Sequence, residues 1–161
     1  VDILKPGPGV GGHCIAVDPW FIVDSAPELA LLIRKAREVN DGKPDYVVNK
    51  VKEAAAQLNQ PVITCLGLSF KADVDDLRES PAVQIVQELA RDGGKILVVE
   101  PHIDKLPLEL ANQTGIELIE LDEGLKKADI VVVLVDHKVF RDVTPEAHAA
   151  KTVIDTWGMW E

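Results

Sequence analysis

Cys14 is the side chain best placed for covalent chemistry in this sequence. It closes the run Gly7-Pro8-Gly9-Val10-Gly11-Gly12-His13, and Asp18 follows four positions later. A glycine-rich segment can turn successive backbone N–H groups toward an anion, and a thiolate held beside such groups is a competent nucleophile. Two plainer readings stand beside this one. Most cysteines are inert packing residues, and a glycine-rich run can be a simple connector. Cys65 belongs to the inert class, because Val62-Ile63-Thr64-Cys65-Leu66 reads as a core strand.

A second group of chemically able residues runs from Gly67 to Pro81, through Phe70, Lys71, Asp73, Asp75, Asp76, Arg78 and Glu79. Lys71 and Arg78 are its only cations. Ser80 and Pro81 are suited to cap and start a helix. The segment leaves the first expected strand, and ligands of open α/β sheets bind at the carboxyl ends of strands. A solvated, charged loop before a capped helix is the alternative.

Gly7 to Gly12 also spells G-x-G-x-x-G. The dinucleotide meaning of that motif needs a preceding strand, a following helix and an acidic residue about 20 positions on. Only six residues precede Gly7, so an anion-binding nest is favoured over an NAD fingerprint. The histidines at 13, 102, 137 and 148 show no metal-ligand spacing, and solvent-facing or local hydrogen-bonding roles are expected for them.

These residues need elements to hold them. Four glycines and two prolines make residues 5–12 a loop. Leu29, Leu32, Ile33 and Ala36 recur at helical spacing, and Asn40-Asp41-Gly42 ends that helix. Tyr46, Val47, Val51, Ala54, Ala55 and Leu58 carry a second helix toward Pro61. Strands are then expected at 62–66, 95–99, 117–120, 130–135 and 152–155. Helices are expected at 81–92, 107–113, 123–127 and 145–150. Such alternation implies an α/β fold with a parallel sheet covered on both faces. A helical segment, 1–60, is expected to precede an α/β domain, 61–161.

The 161 residues, 47% hydrophobic and 27% charged, suit a globular protein with one core and an appendage. The net charge of −10 falls almost wholly after residue 60. No basic stripe is available for counterion release, so DNA and RNA are not expected partners. The longest apolar run, Ile130 to Val135, is far too short to span a membrane. Two cysteines in unlike contexts fit free thiols in a reducing cytoplasm. With no initiator Met and a Pro/Gly-rich opening, the chain reads as part of a longer protein.

Taken together, GPGVGGHCIAVDPW, REVND and GLSFKADVDDLRESP resemble the C-terminal region of the UDP-glucose/GDP-mannose dehydrogenase family. HCIAVDPWF points toward its UDP-N-acetyl-D-mannosamine branch. The resemblance covers the whole chain, which is less than half of a full family member. It implies a Rossmann-like α/β domain that binds the UDP-sugar, preceded by helices of a central dimerisation domain, and hence a homodimer. It implies an enzyme that oxidises the sugar C6 alcohol twice with two NAD+, through a cysteine thiohemiacetal and thioester. The NAD domain and further catalytic residues would lie upstream, so this part alone is expected to be inactive.

By that resemblance Cys14 is the nucleophile and Asp18 orients or activates water. Gly11 contacts the sugar nucleotide through its backbone, Phe70 and Lys71 hold it, and Arg78 reaches NAD. Related branches acting on UDP-glucose, UDP-N-acetylglucosamine or GDP-mannose are alternatives, as is a non-catalytic nucleotide-sugar-binding or dimerisation module. One departure stands out. The family commonly has a basic residue two positions after the aspartate of its last strand, where this chain has Trp157.

Overall fold

The structure is a computed structural model that describes residues 5–160. The first four residues and Glu161, at the outer ends of the two expected segments, lie outside the described residues. Three helices come first: α1 (His13–Ser25), α2 (Leu31–Asp41) and α3 (Lys43–Ala55). An alternating series follows: β1 (Val62–Leu66), α4 (Pro81–Ala90), β2 (Lys95–Val99), α5 (Leu108–Ala111), β3 (Ile116–Leu118), α6 (Leu121–Lys127) and β4 (Ile130–Val133). The chain closes with α7 (Lys138–Arg141), α8 (Pro145–His148) and β5 (Thr152–Asp155).

The five strands form one parallel sheet in the order β3-β2-β1-β4-β5. Its strands are nearly unbroken apolar runs because both faces are covered. Ile63, Cys65, Ile96, Val98, Ile130 and Val132 point to one side, where Val47, Val48 and Val51 of α3 pack with Ile85, Val86 and Leu89 of α4. Leu66, Val99, Val131 and Val133 point to the other, against Leu125, Phe140, Trp157 and Trp160. This alternation is the period-2 geometry of a strand. Burying each such side chain fully is worth about 1.5–3 kcal/mol, and most of these are under 5% exposed.

The chain grows outward in both directions from β1, first to β2 and β3, then back to β4 and β5. The resulting switch point lies between β1 and β4, the place in open α/β sheets where ligands bind at the carboxyl ends of the strands. The loop 67–80 leaves β1 at that point, and residues 134–137 leave β4.

Two helices, α1 and α7, are absent from the sequence reading. Helix α1 was not expected because Pro19, a helix breaker, sits inside it. Proline has no N–H to give the Ile15 carbonyl four residues back, and Arg37 Nη1 of α2 donates to that oxygen instead at 3.3 Å. Helix α7 is a single turn, too short for periodicity to reveal, and it is held by the buried ring of Phe140. Helix α3 also stops at Ala55, with Gln57 and Leu58 closing tighter i→i+3 turns on Ala54 and Ala55. Among the described residues no helix is long and apolar enough to cross a membrane.

Candidate functional site

The glycine loop and the loop after β1 pack directly on each other. A Cβ at Gly11 would lie 2.2 Å from the Glu79 carbonyl oxygen, and one at Gly12 would lie 2.9 Å from the Phe70 ring. Gly12 also has φ +90, a conformation that favours glycine. Both positions therefore need glycine for close approach. Asn40 fixes the loop from α2: its Oδ1 accepts the Val10 N–H at 2.8 Å and its Nδ2 donates to the Val10 carbonyl at 3.3 Å. That N–H is thus already engaged and does not face a ligand.

Cys14 is exposed in the first turn of α1, a helix whose N-terminus no side chain caps. A helix N-terminus favours negative charge nearby. Asp18 is exposed one turn further on, and an i, i+4 pair shares one helix face. The four-residue spacing thus becomes a shared surface. Cys65 is fully buried in β1, and burial pushes its thiol up to about 12, which leaves it a packing residue.

Past β1 the chain turns at Gly67, where a Cβ would lie 2.4 Å from Val135. The Phe70 N–H donates to the Asp76 carbonyl at 3.1 Å, so the segment folds back on itself. Ser80 caps α4 by accepting the Ala82 N–H at 3.2 Å, and its Oγ donates to the Leu68 carbonyl at 2.6 Å. Lys71 is exposed and makes no ion pair among the described residues. Arg78 is exposed and forked onto the Asp76 carboxylate, with Nε 3.0 Å from Oδ1 and Nη2 2.6 Å from Oδ2. The side-chain hydrogen bond from Arg78 is the main reason the Asp76 carboxyl falls to about 2. Arg78 is shifted up, chiefly by that same bond and next by the charge of Asp76.

Arg78 also lines a cleft of about 920 Å³, bounded by Val17, Trp20 and Arg37 on one side and by Ser80, Pro81 and Gln84 on the other. Cys14, Phe70 and Lys71 do not line it. Of the sequence-predicted residues, Gly11 and Phe70 are therefore at the loop contact, with Cys14 and Lys71 adjacent to it in sequence and Asp18 one helical turn past Cys14, while Arg78 borders the cleft.

Beneath the loop lies a buried polar cluster that the sequence reading missed. Glu100, just past β2, is 4% exposed, and His137, just past β4, is wholly buried. Glu100 Oε2 accepts the N–H groups of Leu68 at 2.7 Å and Ser69 at 3.1 Å. His137 Nε2 lies 3.1 Å from the same oxygen. Oε1 accepts the His102 N–H at 3.1 Å. Burial opposes ionisation of Glu100, but the bonds from His137, Leu68 and Ser69 outweigh it and hold the carboxyl below the usual range.

The histidines are not simply scattered, since the rings of His102 and His137 lie 4.9 Å apart. With Asp73 they bring three possible metal-ligand atoms within 4.8 Å of one another. Nδ1 of His137, however, already accepts the Asp73 N–H at 2.9 Å, so the group reads as a hydrogen-bond network. Spacings of 29 and 35 residues hide it from any linear motif.

Trp157, in the family's usual basic position, has a structural footing. Its Nε1 donates to the Leu134 carbonyl at 2.9 Å, and its ring fills the space a Cβ on Gly7 would need. The preceding Asp155 carboxylate gathers the N–H groups of Trp157, Gly158, Met159 and Trp160.

Comparison with known proteins agrees with this architecture. Residues 64–161 match the UDP binding domain of the UDP-glucose/GDP-mannose dehydrogenase family, and residues 1–42 match its central domain. An NDP-N-acetyl-D-galactosaminuronic acid dehydrogenase of Ralstonia nicotianae is 60% identical over 161 residues, covering 99% of this chain and 37% of that protein. A UDP-N-acetyl-D-mannosamine dehydrogenase of Campylobacter jejuni is 57% identical over 144 residues, covering 89% of this chain and 35% of that protein. The chain thus spans little more than a third of the length of these relatives. Among solved structures, a UDP-N-acetyl-mannosamine dehydrogenase from Staphylococcus aureus superposes with a TM-score of 0.72 at 34% identity, over 99% of this chain and 36% of that one. With its parallel Rossmann-like sheet, its glycine loop and these matches, the chain belongs to the UDP-glucose/GDP-mannose dehydrogenase family.

Proposed function

We propose that this chain is the thiol-bearing and sugar-nucleotide-binding part of a nucleotide-sugar 6-dehydrogenase acting on UDP-N-acetyl-D-mannosamine. Residues 1–60 supply the thiol and the helices, and 61–161 the UDP-sugar site. The observation that carries this reading is the packing of Gly11 and Gly12 onto Glu79 and Phe70. Cys14 lies two residues after Gly12, which meets the Phe70 ring, and Lys71 directly follows Phe70 in the chain, which supports a surface offering both a nucleophile and a cation for the diphosphate.

Cys14 adds its thiolate to the C6 aldehyde formed in the first oxidation, giving a thiohemiacetal. Loss of hydride from that carbon, with the hydroxyl proton released to water, leaves a thioester on Sγ. Water, oriented by Asp18, attacks the thioester carbonyl, the C–S bond breaks, and the uronic acid leaves with the thiolate restored. NAD+, when bound, accepts the hydride of each oxidation. The residues present fit a cofactor contact at Arg78, an exposed cation at the rim of a cleft. Lys71 and the backbone near Gly11 hold the UDP-sugar, with Phe70 packed between them. Two chains associate through the helical part, and the free thiols Cys14 and Cys65 suit a cytoplasmic protein.

A second reading of the sugar has its own support, since the Ralstonia relative is named for N-acetyl-D-galactosaminuronic acid and is 60% identical. A substrate panel on a protein of the relatives' full length separates the two. For the chain itself, calorimetry with UDP, GDP and NAD in parallel should show weak binding of UDP above the others. Tighter binding of NAD than of UDP would overturn the ligand assignment.

A further inference from the structure

The loop that carries Phe70 and Lys71 is not held in place by apolar packing alone. Four of its groups are tied to two buried polar side chains. Leu68 and Ser69 donate their N–H groups to Glu100 Oε2, and Asp73 donates its N–H to His137 Nδ1. Ser69 Oγ lies 3.3 Å from His137 Nε2 and donates to the Lys71 carbonyl at 2.7 Å. The ties therefore fall on both flanks of Phe70 and on Lys71 itself. A backbone N–H can only donate, so His137 Nδ1 carries the lone pair and Nε2 the proton, which goes to Glu100. The carboxylate thus sets the tautomer that the loop needs.

Asp73 has φ +59, and its carboxylate accepts the Lys138 N–H at 3.0 Å. A buried charged or polar pair is often no more stabilising than apolar residues of the same volume, so general stability does not by itself account for this one. The same cluster does not work as a hydrolytic triad, because Ser69 and Glu100 both approach Nε2 and leave no separate base for the hydroxyl.

We propose that His137, oriented by Glu100, is a positioning residue that fixes the bend of the 67–80 loop through the Asp73 N–H and so presents Phe70 and Lys71 to the UDP moiety. This rests on the reading of that loop as part of the sugar-nucleotide site.

Two substitutions take the two halves of the ring apart. His137→Gln keeps a donor near the Nε2 position for Glu100 but loses the acceptor for Asp73. His137→Asn keeps an acceptor near the Nδ1 position but leaves Glu100 one donor short. UDP affinity of the 161-residue chain, its Tm, and amide hydrogen exchange at Asp73 are measured for each.

His137→Gln should weaken UDP binding about tenfold and speed exchange at Asp73, with the smaller loss of Tm. His137→Asn should bind UDP within about threefold of the unsubstituted chain, with the larger loss of Tm. Affinity and stability then rank the variants in opposite orders, whereas a residue that only stabilises the fold would rank them alike. UDP affinity unchanged in His137→Gln, or the same ranking in both measurements, overturns the proposal. If the unsubstituted chain binds no UDP, the functional reading falls. The positioning role is then judged on Asp73 exchange: it stands if only His137→Gln speeds it and falls otherwise.

Discussion

At the scale of single residues, the proposed chemistry rests on a thiol and two cations whose surroundings differ. Cys14 is exposed at a helix start, while Cys65 is buried and inert at the same pH. In a protein of the relatives' full length, Cys14→Ser should stop the reaction after the first oxidation, because a serine hydroxyl is the poorer nucleophile and forms no thioester. Product analysis checks this, and normal turnover to the uronic acid would remove Cys14 from the mechanism. Among the described residues Lys71 stands without an ion-pair partner, whereas Arg78 is clamped to Asp76 and borders the cleft. Lys71→Ala should therefore raise KM for the UDP-sugar, and Arg78→Ala should raise KM for NAD, each about tenfold or more. Steady-state kinetics with each substrate varied in turn decide this. Unchanged constants in both variants would leave the loop a solvated surface. These residue types could be read from short motifs. Glu100 and His137 could not, since a Glu after one strand and a His after another become neighbours only once the sheet order is known.

At the scale of elements, what the sequence showed depended on whether an element carries its own signal. Helix α4 announces itself by Ser80, Pro81 and apolar residues at 82, 85, 86 and 89, and the cap bonds are there. Helix α1 concealed itself, because its breaker Pro19 is offset by Arg37 from another helix, a compensation no local window contains. The ends of β1, β2 and β4 are joined by the Glu100 cluster, and this has a consequence for pH. The folded carboxyl is depressed relative to the ordinary value of about 4.3 for the unfolded chain. Its stabilisation is thus fully present above that value and is lost as pH falls through the lower folded value. Glu100→Gln should lower Tm at pH 7, and its gap from the unsubstituted chain should narrow as pH is taken down toward 3. Thermal melts across that range test it, and a constant gap would mean that Glu100 is not ionised in the fold.

At the scale of the whole molecule, the alternation of strands and helices was enough to expect a doubly covered parallel sheet, but not its strand order or the switch point beside β1 and β4. Sheet order is a matter of long-range pairing, and a one-dimensional pattern is silent on it. The helical part shows the complementary case, where apolar residues at helical spacing turn out not to be core. Leu29 is 88% exposed, Leu32 82%, Phe21 68% and Leu31 65%, although each falls in or beside a helix packed against its neighbour. Exposed apolar surface of this extent marks a place where something docks, and the proposed occupant is the helical part of a second copy. Because these side chains touch so little within the chain, replacing Phe21 and Leu32 together by Glu should change monomer stability by under about 1 kcal/mol. The same pair of changes should halve the mass seen by sedimentation equilibrium at tens of micromolar. A chain that is already monomeric without the substitutions would remove the homodimer from the proposed function. A double variant that stays dimeric with an unchanged Tm would move the interface to another face of the molecule.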